Sequence, residues 1–189
     1  MYKYLHIPIL CLIFSTNSLA QSISEDFIRM PDEILPYLPE TQRKELVELK
    51  KMEPDTIASI DSAFGKVELT RLTDDILSIN LSEHNILEVG RISNDTILVI
   101  KTYGAPLQES VCSLYNNVWE HIKTFDLSKV KFEGFDEIIE FPLVSASMTS
   151  SPKELLLKLN VPIITKEEKK LIKPEVVQRN VKWTDATFN

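Results

Sequence analysis

The stretch Leu72 to Gly90, LTDDILSINLSEHNILEVG, places Asp74 and Asp75 before an apolar run and the cluster Ser82-Glu83-His84-Asn85 after it. Carboxylates and imidazoles are ligands for hard or borderline metal ions and the usual partners in acid/base catalysis. Spacing decides against one shared site. At about 3.3 Å per residue of strand, Asp75 and Glu83 stand roughly 26 Å apart. They belong to opposite ends of one strand, where Asp, Asn and Ser stabilise turns by bonding to the nearby backbone.

A sheet whose successive strands are joined by short loops brings alternate loops together on one rim. The acidic rim then gathers Asp74, Asp75, Asn94, Asp95, Asn116 and Asn117. Adjacent strands are about 4.8 Å apart, so oxygens from the first two loops could reach one calcium-sized cation. No Asp-x-Asp-x-Asp-Gly loop accompanies them, and turn formation is the simpler account. The opposite rim gathers Glu83, His84, Tyr103 and, near its strand end, Glu120 and His121. These are zinc-type ligands, but three strand spacings, about 14 Å, separate the two imidazoles unless the sheet curls strongly. No metal and no cofactor is predicted. Tyr103, Tyr115 and Trp119 could form an exposed aromatic binding face, although strand aromatics more commonly serve the core.

Nucleophile motifs are missing: there is no Gly-x-Ser-x-Gly, no phosphate-binding glycine loop, no His-Glu-x-x-His and no Cys-x-x-Cys. Cys112, between Val111 and Leu114 in a strand-like run, is expected as a small buried apolar residue rather than a nucleophile.

The elements that must position these groups follow from periodicity. Pro31-Asp32-Glu33 suits a first helical turn, with Ile34, Leu35 and Leu38 as its apolar stripe. A second helix is expected over Glu40 to Met52, with Leu46, Val47, Leu49 and Met52 inward and Arg43, Lys44, Glu45, Glu48, Lys50 and Lys51 solvated. From Lys66 the period drops to two. Strands are predicted at 67–72, 76–81, 86–92, 96–103, 110–115 and 118–122, with a tight turn at Asn116-Asn117. Connections this short make neighbouring strands antiparallel, giving a six-stranded meander. Residues 123–142, rich in phenylalanine, are expected as an irregular packed segment. Strands at 143–149 and 154–161, a short helix over Lys166 to Lys173 opened by the Thr165/Glu168 capping box, and a last strand at 176–183 complete the pattern.

Residues 1–20 read differently. Lys3, the apolar run Ile7 to Phe14 and the ending Ser18-Leu19-Ala20 predict a signal peptide cleaved before Gln21, leaving residues 21–189 as one domain. The run is shorter than the ~18 residues of a membrane span, so no integral span is expected in the mature chain. The expected address is periplasmic or extracellular. Formal net charge is −7 and becomes more negative once Lys3 is removed, which argues against nucleic acid as the main partner. One cysteine remains after cleavage, so an internal disulfide is not available.

Asp55-Thr56-Ile57, Asp61-Ser62-Ala63 and Asp95-Thr96-Ile97 share the form Asp, hydroxyl residue, apolar residue. This resembles the acceptor sequence of the general O-glycosylation system of exported Bacteroidetes proteins and makes Thr56, Ser62 and Thr96 candidate sites. Further segments, FIRMPDEILPYL at 27–38, LTDDIL at 72–77, KTYG at 101–104 and Lys173-Pro174 ahead of Trp183, resemble the secreted Bacteroidales proteins grouped as domain-of-unknown-function family 3256. That resemblance implies export and supplies no activity or site residues.

The sequence therefore predicts an α+β fold: a curved, mainly antiparallel meander with two short N-terminal helices and one short C-terminal helix packed on it. The favoured function is a non-enzymatic envelope or secreted interaction module for a protein or glycan. The alternative is a hydrolase-like enzyme with a dispersed acidic or histidine site.

Overall fold

The computed structural model describes residues 22–132, 142–160, 177–184 and 187–188. Antiparallel strands dominate, with two α-helices among the described residues, which is an α+β arrangement. Helices α1 (Ile23–Ile28) and α2 (Glu40–Met52) are followed by a seven-stranded meander, β1 (Ala58–Ser62), β2 (Gly65–Leu72), β3 (Ile76–Ser82), β4 (Asn85–Ser93), β5 (Thr96–Tyr103), β6 (Glu109–Asn116) and β7 (His121–Phe125). A second sheet follows, formed by β8 (Leu143–Met148), β9 (Glu154–Asn160), β10 (Gln178–Thr184) and β11 (Thr187–Phe188), in spatial order β11-β10-β9-β8.

The meander is buried on both faces. Val67, Leu69, Leu77, Ile79, Leu87, Val89, Ile97 and Val99 pack beneath the helices against Phe27, Leu46 and Val47. On the reverse face Ile76, Leu98, Ile100, Cys112 and Leu114 meet Val144, Ala146, Leu155, Leu157 and Val181 of the second sheet. Strands covered on both sides carry apolar residues at successive positions, as Ile97-Leu98-Val99-Ile100 does.

Three expectations are corrected. The expected helix over Pro31 to Leu38 is a run of turns, with α1 forming earlier instead. Pro31, Pro36 and Pro39 cannot donate backbone hydrogen bonds, and each disfavours helical backbone in the residue before it. Arg43 is not solvated: its guanidinium is buried and donates to the carbonyls of Ile28 (3.1 Å), Met30 (2.6 Å) and Leu38 (2.5 Å) and to Asp32 Oδ1 (3.0 Å). Lys50 is likewise buried and donates to Thr56 O at 2.5 Å, whereas Leu49 and Met52 face outward. The inward face of α2 is thus Arg43, Leu46, Val47 and Lys50, spaced three or four apart.

The third correction concerns the last hairpin of the meander. It closes through a loop at 117–120 rather than at Asn116-Asn117, and its strand begins at His121. Asn116 Oδ1 accepts from the backbone N–H groups of Val118 and Glu120, while Trp119, at φ 66°, turns into the core. Burying one indole side chain outweighs the cost of a left-handed residue. Residues 123–125, expected to be irregular, belong to β7; 133–141 and the expected helix over Lys166 to Lys173 lie outside the described residues.

Among the described residues β8 is an edge of the second sheet, and side chains of the meander meet backbone groups along it. Ala146 N donates to Ser110 Oγ (2.8 Å) and Met148 N to Glu88 Oε2 (3.1 Å), while Arg71 donates to Thr149 O (2.6 Å). Glu88 also accepts from Ser78 Oγ at 3.2 Å. Gly90 lets the sheets approach: a Cβ there would lie 2.6 Å from both Met148 Sδ and Pro152 Cβ.

Candidate functional site

The β2–β3, β4–β5 and β6–β7 loops carry Asp74, Asp75, Asn94, Asp95 and Asn117 at one end of the meander. Ser93 pairs with Thr96 across the two-residue turn Asn94-Asp95, and Asn117 Nδ2 donates to Asp95 Oδ1 at 3.3 Å, joining two loops. Asp74 and Asp75 serve through their backbone: Ile23 N donates to Asp74 O (3.4 Å) and Arg91 N to Asp75 O (2.9 Å). Arg91 forms an ion pair with the fully buried Asp26, fastening α1 to β4 at this rim. Among the described residues no group of three or more His, Cys, Asp or Glu side chains gathers around a common point suited to a metal ion.

His121 also lies at the acidic rim, because β7 starts there. Its Nε2 is 2.9 Å from Thr124 Oγ1, and its ring meets Tyr115 edge-on at 5.5 Å between centroids. His84 lies at the other end of the sheet, in the two-residue turn Glu83-His84 between Ser82 and Asn85. The proposed grouping of Glu83, His84, Tyr103 and His121 therefore loses His121. Cys112 is buried on the reverse face, and desolvation pushes its thiol up to about 12, which leaves no thiolate at neutral pH.

The opposite rim carries a groove of about 470 Å³. Its floor is the helix-side face of the meander, with Val67, Leu81 and Lys101. One wall is the turn segment 33–38, and the other is the β1–β2 turn with Phe64. Tyr37 and Phe64 meet edge to face with centroids 4.4 Å apart, yet remain 62% and 66% exposed; Tyr103 is 46% exposed. Gly104 N donates to His84 O at 3.0 Å, which holds the β3–β4 and β5–β6 loops beside the groove. Gly104, at φ 96°, could not carry a side chain, since a Cβ would lie 2.4 Å from Leu107 O.

One buried and one half-buried cation hold the wall in place. Arg43 gathers carbonyls at both ends of the segment 28–38, and Lys101 Nζ donates to Ile34 O in its middle at 2.6 Å. Burial holds the Lys101 ammonium below the usual lysine range and pushes the Tyr103 phenol above its own. Of the expected aromatic face only Tyr103 contributes: Trp119 is buried and Tyr115 packs beside it at 5.7 Å. Tyr37, Phe64 and Lys101 were not anticipated. The visible signals were an aromatic directly before a turn glycine, in Ala63-Phe64-Gly65, and a lone lysine ending the apolar run Ile97 to Ile100.

Among the described residues no helix is long and apolar enough to cross a membrane. The family model described as "Protein of unknown function (DUF3256)" matches residues 15–188. The fold is similar to that of a solved structure, a domain of an uncharacterized protein from Porphyromonas gingivalis W83, with TM-score 0.68 and 19% sequence identity over 88% of this chain and 96% of that one. No curated protein matches the chain.

Proposed function

The chain belongs to the DUF3256 family of proteins of unknown function, and from its own geometry we propose a non-enzymatic interaction module that binds a protein or glycan through the groove at the Tyr103 rim. The observation carrying this reading is the convergence of Tyr37, Phe64 and Tyr103, all substantially exposed, on one concavity with an apolar floor. Ligand sites combine an apolar, aromatic lining with a few placed polar groups, and this volume lies within their usual range. Leaving three large aromatics at a surface costs solvation free energy that a partner's apolar surface would offset.

The proposed address is the envelope or exterior, reached through the predicted signal peptide at residues 1–20. The test compares affinity capture from native envelope by the mature protein and by its Tyr37→Ser/Phe64→Ser double variant. A reproducible partner lost by the variant is expected. A partner profile unchanged by the substitutions would move the binding surface elsewhere.

O-glycosylation of Thr56, Ser62 or Thr96 is proposed alongside. Thr56 lies in an exposed turn, Ser62 flanks the Phe64 turn, and Thr96, half-buried, opens β5 directly after the exposed Asn94-Asp95 turn. A mass above that of the bare polypeptide, localised to one of these residues, is the expected result for protein purified from its native envelope. A bare mass would end the proposal.

A further inference from the structure

We propose that the groove receives the free carboxyl terminus of a partner polypeptide, with Lys101 as counter-ion and an apolar terminal side chain set among Tyr37, Phe64 and Tyr103. This deepens the binding reading above and rests on it. Lys101 is the groove's one cationic side chain among the described lining residues. Its ammonium has three donors, of which one is used, to Ile34 O. Among the described residues it forms no ion pair, although the chain as a whole is acidic. Burial alone accounts for its lowered pKa; no neighbouring carboxylate raises it. A partly desolvated charge without a counter-ion is unfavourable, and an arriving carboxylate would supply the missing partner.

The rest of the lining selects what carries that carboxylate. Ile34, Leu81 and the aromatic rings require an apolar group close to the charge. Asn85, half-buried, also lines the groove and brings a side-chain amide to it. An amide that both donates and accepts, in the same groove as the cation, suits the last peptide unit of a chain, which a plain alkyl carboxylate lacks. Glu33, exposed at the groove's edge, disfavours a second negative charge on the ligand.

The experiment measures binding of the whole protein to acetylated hexapeptides ending in Leu or Phe, each as the free acid and as the C-terminal amide, with dodecanoate as a third ligand. The free acids are expected to bind about tenfold or more tighter than the amides, the strength of one charged hydrogen-bonded contact. Lys101→Met should abolish the advantage of the acid over the amide, whatever it does to the affinity they share. Because Lys101 also holds Ile34, the acid-against-amide comparison on the unaltered protein keeps the test independent of any folding defect.

Equal affinity for acid and amide would overturn the charge pairing. Dodecanoate binding as tightly as the peptides would overturn the polypeptide assignment. If no peptide binds while the Tyr37→Ser/Phe64→Ser variant still loses its envelope partner, the inference falls and the groove reading stands. If that variant keeps its partners as well, both fall.

Discussion

Arg43 shows how a single side chain can set the course of the chain around it. Its guanidinium satisfies carbonyls at 28, 30 and 38, so the proline-rich stretch is held as turns without a ladder of its own. Replacing it with methionine keeps much of the packing and leaves those acceptors unpaired. The expected loss is about 3 kcal/mol or more, read from urea unfolding, with any groove ligand lost in parallel. Periodicity places Arg43 and Lys50 on the solvated face, because charge in a sequence signals water unless the backbone acceptors that will meet it are already placed. Glu88 offers a second test. Burial raises its folded pKa above the ordinary 4.5, outweighing the lowering by Met148 N–H, Ser78 and Arg71. The folded state then holds this proton more tightly than the unfolded chain, so Glu88's contribution to stability is greatest below about pH 4.5 and declines as pH rises through the folded value. Glu88→Gln should remove that decline, which paired urea titrations between pH 4 and 8 would reveal as a smaller slope than the parent's; identical slopes would disprove it.

At the level of elements, the hairpin ladder from β2 to β6 was legible because short turns rich in Asp, Asn and Ser separate apolar runs. Ser82, Ser93 and Ser151 each accept a backbone N–H two residues on, as turn-forming hydroxyls do. The strand β1 was missed because Ala58-Ser59-Ile60-Asp61-Ser62 has little β-branched content and is placed chiefly by α2 and its pairing with β2. The separate second sheet was missed for a different reason. Local patterning shows that 143–149 and 154–161 are extended, and the four-residue apolar run in β5 hints at cover on both faces, but neither names the covering element. Gly90 is the contact point of that cover. Gly90→Val should cost about 1–3 kcal/mol through forced displacement of Met148 and Pro152, measured as a lowered urea midpoint with an unchanged slope. A neutral result would mean the sheets separate here without penalty.

Taken whole, the molecule has three layers: helices, meander and second sheet, with the middle layer shared by two apolar clusters. Native-state hydrogen exchange should therefore be slowest in β3, β4 and β5, which have paired strands on both sides and packed layers on both faces, and faster in β1 and β7 at the two borders. Uniform protection across all seven strands would contradict that layering. The candidate groove was only half legible, since Tyr103 and His84 sit on neighbouring hairpin loops while Tyr37 and Phe64 come from segments whose placement depends on Arg43 and on β1. The way the second sheet ends has a consequence for encounters between copies of this chain. The amide hydrogens of Ala146 and Met148 on β8 are already committed to Ser110 and Glu88, so a newcomer strand approaching that margin meets occupied donors at those two positions. Fibre growth from this side would first have to break the molecule's own inter-sheet bonds.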